Sequence, residues 1–155
     1  MPPDPIVVNE WLFHDMRGDN GLYDQQRVEV FLEALKQGTD QIIVPQETRW
    51  TDKAWQLWEV RDARVQILSK LLYLGVLIDP LKTIRLRPDQ LEPLPDDLSG
   101  QVPADDVYLF QAAFAGGANT IVTTDQRIDM VTNANHHGIQ LRFRDDYYLA
   151  HLGLP

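Results

Sequence analysis

The feature that most constrains this chain is the recurrence of very short, wholly apolar runs separated by helix-length segments. Ile6-Val7-Val8, between Pro5 and Asn9, has no polar alternation and is too short for a helix. It therefore reads as a strand buried on both faces. Ile42-Ile43-Val44, closed by Pro45, repeats the pattern. Leu81 to Leu86, Thr120 to Thr124 and Ile139 to Phe143 supply three more strands. Between them lie helical patterns: Tyr23 to Gln37, with Val28, Phe31, Leu32 and Leu35 at helical spacing and a stop at Gly38; one long helix from about Asp52 to Leu74, capped by Asp52 and ended by Gly75; Ala104 to Ala115, stopped by Gly116-Gly117; and Gln126 to His136. Gly18 to Gly21 is a loop, and Pro88 to Pro103 is a proline-rich loop with room for one helical turn. Strands buried on both faces and alternating with helices predict a three-layer α/β/α fold around a parallel sheet of about five strands. One chain of 155 residues fits one domain, 1–155, with a sizeable core.

No apolar run approaches the ~20 residues that a membrane span needs, and Met1-Pro-Pro-Asp-Pro lacks the features of a secretory signal. The expectation is a cytoplasmic protein with no membrane partner. With no cysteine, disulfides, zinc-thiolate sites and thiol catalysis are excluded. The net charge of −9 argues at first against nucleic acid, but its distribution does not. Residues 1–40 carry 8 acids and 3 bases, 41–90 carry 6 and 8, and 91–155 carry 9 and 3. A phosphate-binding surface needs local positive charge, and a metal site local negative charge.

In an open parallel sheet, ligands gather beyond the carboxyl ends of the strands. Asn9 and Glu10 leave the first strand there, Asp125 leaves the fourth directly after Thr123-Thr124, and Asp105-Asp106 open the helix that feeds the fourth. Carboxylates brought together repel one another unless a cation neutralises them, and Mg²⁺ or Mn²⁺ prefers such oxygen ligands. Each acid also has a plainer role. Asp105 and Asp106 complement a helix dipole, and Asp125 caps the helix after it. Asp129, one turn on, is a further candidate. Arg49, Lys53, Arg61 and Arg64 form a basic stripe that either holds phosphates or pairs with Glu59 and Asp62. Trp50, Trp55 and Trp58 read as core or interface rather than as stacking platforms. The histidines lack metal-ligand spacing. A phospho-acceptor receiver would need a strand-end lysine that is absent after Asp125.

The segment from Asp106 through Val-Tyr-Leu-Phe-Gln-Ala-Ala-Phe-Ala-Gly-Gly-Ala-Asn-Thr-Ile-Val-Thr-Thr to Asp125 resembles the C-terminal signature of PIN domains. That signature is an Asp opening an alanine-rich helix, a small-residue turn, an apolar strand and Thr-x-Asp. The N-terminal signature, an apolar strand ending in Asp, is approximated by Ile6-Val-Val-Asn9. The resemblance implies a single PIN-like domain and Mg²⁺- or Mn²⁺-dependent cleavage of RNA. Because the family includes toxins of toxin–antitoxin pairs, it also implies an antitoxin-like protein partner; a homodimer is a further possibility. The alternative is a PIN-fold module without catalysis that binds protein or RNA. Asp106, Asp125, Asn9 and Glu10 take the catalytic positions, and Asp106, Asp125, Asp105 and Asn9 the metal positions. Asn9 stands where the family has its first Asp, and Glu10 is the residue that would compensate, although neighbours on a strand point to opposite faces. The second family acid has only imperfect candidates, Glu47 and Asp52, beside Arg49 and Lys53.

Overall fold

The computed structural model describes residues 5–155; the proline-rich start at Met1–Asp4 lies outside the described residues. Five strands form one all-parallel sheet: β1 (Pro5–Val8), β2 (Gln41–Pro45), β3 (Thr83–Leu86), β4 (Thr120–Thr123) and β5 (Gln140–Phe143), in the order β3-β2-β1-β4-β5. The helices are α1 (Trp11–Arg17), α2 (Leu22–Gln37), α3 (Arg49–Trp58), α4 (Ala63–Leu72), the single turn α5 (Asp96–Ser99), α6 (Val107–Gly116), α7 (Gln126–Asp129) and α8 (Arg144–Leu152). The expected α/β fold and its five-stranded parallel sheet are observed, and β1 lies beside β4 with Ile6 opposite Thr120 and Val8 opposite Val122.

Strand alternation divides the core in two. Ile6, Val8, Ile42, Val44 and Val122 pack against α1 to α4 and the tyrosines of α8. Val7, Ile43 and Ile121 face the other way, onto Leu109, Phe110, Ala112 and Ala113 of α6. Both faces are thus covered, which is why the middles of these strands are apolar. No helix among the described residues is long and apolar enough to cross a membrane.

The expected helix from Asp52 to Leu74 is two helices. Asp62 ends the first reading: its carboxylate accepts from the backbone N–H of Arg64 (3.0 Å) and Val65 (3.1 Å), which makes it the N-cap of α4. Asp52 is not the cap of α3. Thr48 precedes that helix, and its N–H donates to Thr51 Oγ1 at 3.2 Å. Nor does the helix stop at Gly75, because a π turn carries the chain over Tyr73–Leu77. The helix from Gln126 to His136 is likewise broken into α7 and a 3₁₀ stretch at Thr132–His137. There the Gln101 side chain accepts from Asn133 N at 3.1 Å, and the Asn133 side chain donates to the Asp97 carbonyl at 2.9 Å. Two helices, α1 and α8, were not anticipated. They are joined by a buried ion pair, Arg144 to Asp15, at 2.7 and 3.0 Å.

Candidate active site at the carboxyl edge of the sheet

The chain leaves β1 under close control. Asn9 N donates to the Val122 carbonyl at 3.1 Å, and the Trp11 indole donates to the same oxygen at 2.9 Å. The Trp50 indole donates to the Val8 carbonyl at 2.8 Å. These bonds tie the ends of β1 and β4 together and fix Asn9 against Thr123, whose Oγ1 accepts from Asn9 Nδ2 at 3.3 Å. Asn9 Oδ1 accepts from the Glu10 N–H at 2.6 Å, so both ends of its amide serve the turn. Thr123 Oγ1 also accepts from the Asp125 N–H at 2.9 Å and so positions the acid that follows β4.

Because β1 ends at Val8, strand alternation does not govern Glu10. Its carboxylate is nearly buried and is held by three groups. Tyr108 Oη donates to Oε2 at 2.9 Å, while Arg49 and Lys53 approach Oε1 at 3.5 and 3.7 Å. Arg49 also lies 3.5 Å from the exposed carboxylate of Asp105. Arg49 and Lys53 are one turn apart on α3, which is why both reach the same acid. Arg64, further along the stripe, does not join them but pairs with Glu29 of α2.

Asp106 is buried at the start of α6, and its Oδ2 has no hydrogen-bond partner among the described residues. Burial pushes its carboxyl above the usual range; the charges of Asp125 and Glu10 push it further, while those of Arg127 and Arg49 oppose the rise. Asp125 shows the opposite behaviour. It caps α7 through the Arg127 N–H at 2.9 Å, and the Arg127 guanidinium binds its carboxylate through Nε and through Nη2, the latter at 2.8 Å. That hydrogen bond holds the Asp125 carboxyl below its ordinary value.

Asn9, Glu10, Asp105, Asp106, Thr123, Asp125, Arg49 and Lys53 are thus gathered at the carboxyl ends of β1 and β4. Thr124 adjoins them but is exposed. Glu47 and Asp52 border a separate cleft at the ends of β2 and β3, and Asp129 lines a hollow with Gln140 and Arg142 beside β5. Tyr108 and Arg127 were missed. Tyr108 lies within the signature segment, but nothing in its spacing marks it as a partner of Glu10.

The feature of this set that a divalent cation could meet is the unpartnered, repelled oxygen of Asp106. Among the described residues, no group of three or more His, Cys, Asp or Glu side chains is placed to hold such an ion. Glu10 and Asp125 are instead neutralised by Arg49, Lys53 and Arg127. No family model matches the chain, and neither a curated protein nor a solved structure matches it.

Proposed function

We propose that this chain is a divergent PIN-like nuclease that hydrolyses RNA phosphodiester bonds with Mg²⁺ or Mn²⁺ bound at Asp106. The observation that carries the reading is the buried Asp106 carboxylate, which has an unpartnered oxygen and two acidic neighbours. Leaving such a group unmet costs free energy that an ion would offset. Asp106 and Asp125 would hold the ion, with Glu10 or the Asn9 amide oxygen as the third ligand and Asp105 at the rim. A bound ion would supply hydroxide from water and offset charge on the phosphoryl oxygens. Arg49 and Lys53 contribute local positive charge beside the acids. They bind Glu10 at rest and stand where a substrate phosphate would meet them. The reading carries with it a cytoplasmic setting and a toxin-like role with a protein partner.

The ion pairs Arg49–Glu10 and Arg127–Asp125 favour one alternative, a module that binds RNA or protein without cutting. Thermal melting with and without Mn²⁺ separates the two. An ion bound only by the folded chain raises the melting temperature, by ~2.7 kcal/mol of stability at a concentration 100 times its Kd. Asp125→Asn keeps a good cap but loses the charge, so it is expected to lower Mn²⁺-dependent RNA cleavage by at least about tenfold with little change in metal-free stability. Full cleavage by Asp125→Asn would reduce Asp125 to a cap. A wild type with neither a Mn²⁺ shift nor cleavage would leave the binding module.

A further inference from the structure

The carboxyl edge of the sheet continues past the acidic site into a cleft of about 990 Å³ at the ends of β2 and β3. Its size lies at the upper end of the ~300–1,000 Å³ typical of ligand pockets. Helix α3 separates the two places and serves both. Arg49 and Lys53 turn toward Glu10, whereas Asp52 and Trp55, three residues apart, line the cleft. Trp55 is 63% exposed, unusual for a residue with so large an apolar ring. It is held rather than loose: the Tyr73 ring lies 5.8 Å away at 47°, and Trp58 braces Tyr73 from 4.8 Å.

Three further observations fall on the same cleft. Its wall includes the π turn at Tyr73–Leu77, a helix distortion frequent at functional sites. Glu47 on its rim holds φ at 59°, a left-handed conformation unfavourable for a non-glycine residue. Tyr73 Oη is buried without a partner among the described residues, and burial pushes its pKa up to about 12, so it remains a donor.

We propose that this cleft receives an unpaired nucleobase of a single-stranded nucleic acid whose backbone runs along the carboxyl edge of the sheet toward Asp106. The course toward Asp106 rests on the nuclease reading; the seating of a base on Trp55 does not. An exposed, braced indole offers a face on which any base can stack. Of the rim acids, Asp89 is met by Arg87, while Glu47 and Asp52 disfavour a phosphate beside Trp55, so the part of a nucleotide that enters there is the uncharged base. Those carboxylates accept hydrogen bonds from exocyclic amines, which adenine has and uracil lacks. Arg85 and Arg87 also line the cleft, and Arg87 pairs with Asp89 at 3.1 Å, so a phosphate at the mouth would compete with Asp89 for it. A duplex keeps its base faces stacked and cannot use the cleft.

The test is fluorescence anisotropy of labelled oligoadenylate, as RNA and as DNA, with oligouridylate and a duplex as controls, in EDTA so that nothing is cut. Oligoadenylate is expected to bind, oligouridylate more weakly and the duplex least; the RNA and DNA arms identify which strand is preferred. Trp55→Ala is expected to weaken oligoadenylate binding by about 5- to 150-fold, the ~1–3 kcal/mol of one stacked base, with melting unchanged. Absence of oligoadenylate binding, equal binding of the duplex, or wild-type affinity in Trp55→Ala would each overturn the proposal. So would a change in the sedimentation of the protein alone on Trp55→Ala, which would make the patch a protein interface. Loss of binding in Trp55→Ala with no metal-dependent cleavage by wild type sinks the nuclease reading and leaves the cleft. Cleavage with an unaltered KM in Trp55→Ala does the reverse.

Discussion

Arg144→Met is expected to destabilise the chain by about 3–5 kcal/mol, the cost of breaking a buried ion pair from one side. Asp15 is fully buried, and its carboxylate is met by Arg144 at 2.7 and 3.0 Å and by Asn20 Nδ2 at 2.7 Å. Burial pushes the Asp15 carboxyl up; Asn20 and the guanidinium oppose it. Without Arg144 only the asparagine remains, and ionised Asp15 becomes a charge in the core. The loss is expected to depend on pH with a definite sign. An unpaired buried acid has a folded pKa above its unfolded one, so the variant is least impaired in acid, where Asp15 is protonated. Its deficit grows as pH rises through that folded value. Arg144 also binds Asp145 at 3.0 Å and lies over the Trp11 ring, so part of the deficit is independent of pH. Adding Asp15→Leu to Arg144→Met should recover much of the loss, because two apolar groups leave no stranded charge. Chemical denaturation at two pH values checks both statements. A single variant that loses under 1 kcal/mol, or a double variant as unstable as the sum of the singles, would mean that the pair does not hold α1 to α8.

The same pair shows why some of the fold was legible in the sequence and some was not. Strands buried on both faces advertise themselves, as Ile6-Val7-Val8 and Ile42-Ile43-Val44 do, because nothing polar fits there. Helices α1 and α8 owe their place to Asp15 and Arg144, two polar residues 129 positions apart that become interior only by meeting. No periodicity records that event. The break between α3 and α4 was hidden for the opposite reason. Trp55 and Trp58 kept the apolar rhythm running through a segment where both rings face outward, and that rhythm concealed Asp62 as a cap. At the site, position was legible and pairing was not. Strand ends and helix starts marked Asn9, Asp106 and Asp125 as neighbours. That Glu10 would be claimed by Tyr108, Arg49 and Lys53, and Asp125 by Arg127, depends on side-chain reach after folding. Alternation along β1 even argued against Glu10, and it failed because the strand stops two residues earlier.

Asp106→Asn is expected to move stability and activity in opposite directions. In the metal-free chain Asp106 is an acid whose folded pKa is raised, chiefly by burial and then by Asp125. Such a group favours folding when protonated and loses that contribution as pH rises above the unfolded value near 3.9 and through the folded one. An asparagine never pays that penalty, so the variant should melt a few degrees higher than wild type at pH 7 and show no gain at pH 3. If Asp106 is the principal ion ligand, the same change removes the charge on which the site depends. Mn²⁺-dependent cleavage should then fall by at least about a hundredfold, or ~2.7 kcal/mol of transition-state stabilisation. The metal-induced rise in melting temperature should disappear with it. The two readouts constrain each other, because a helix-start acid with no function would also gain stability on neutralisation but would leave the Mn²⁺ shift intact. A variant that melts higher at pH 7 and still responds to Mn²⁺ as wild type does would return Asp106 to the ordinary role of an acid at a helix N-terminus. A variant that melts lower at pH 7 would mean that its unpartnered oxygen is not the source of strain that its burial implies.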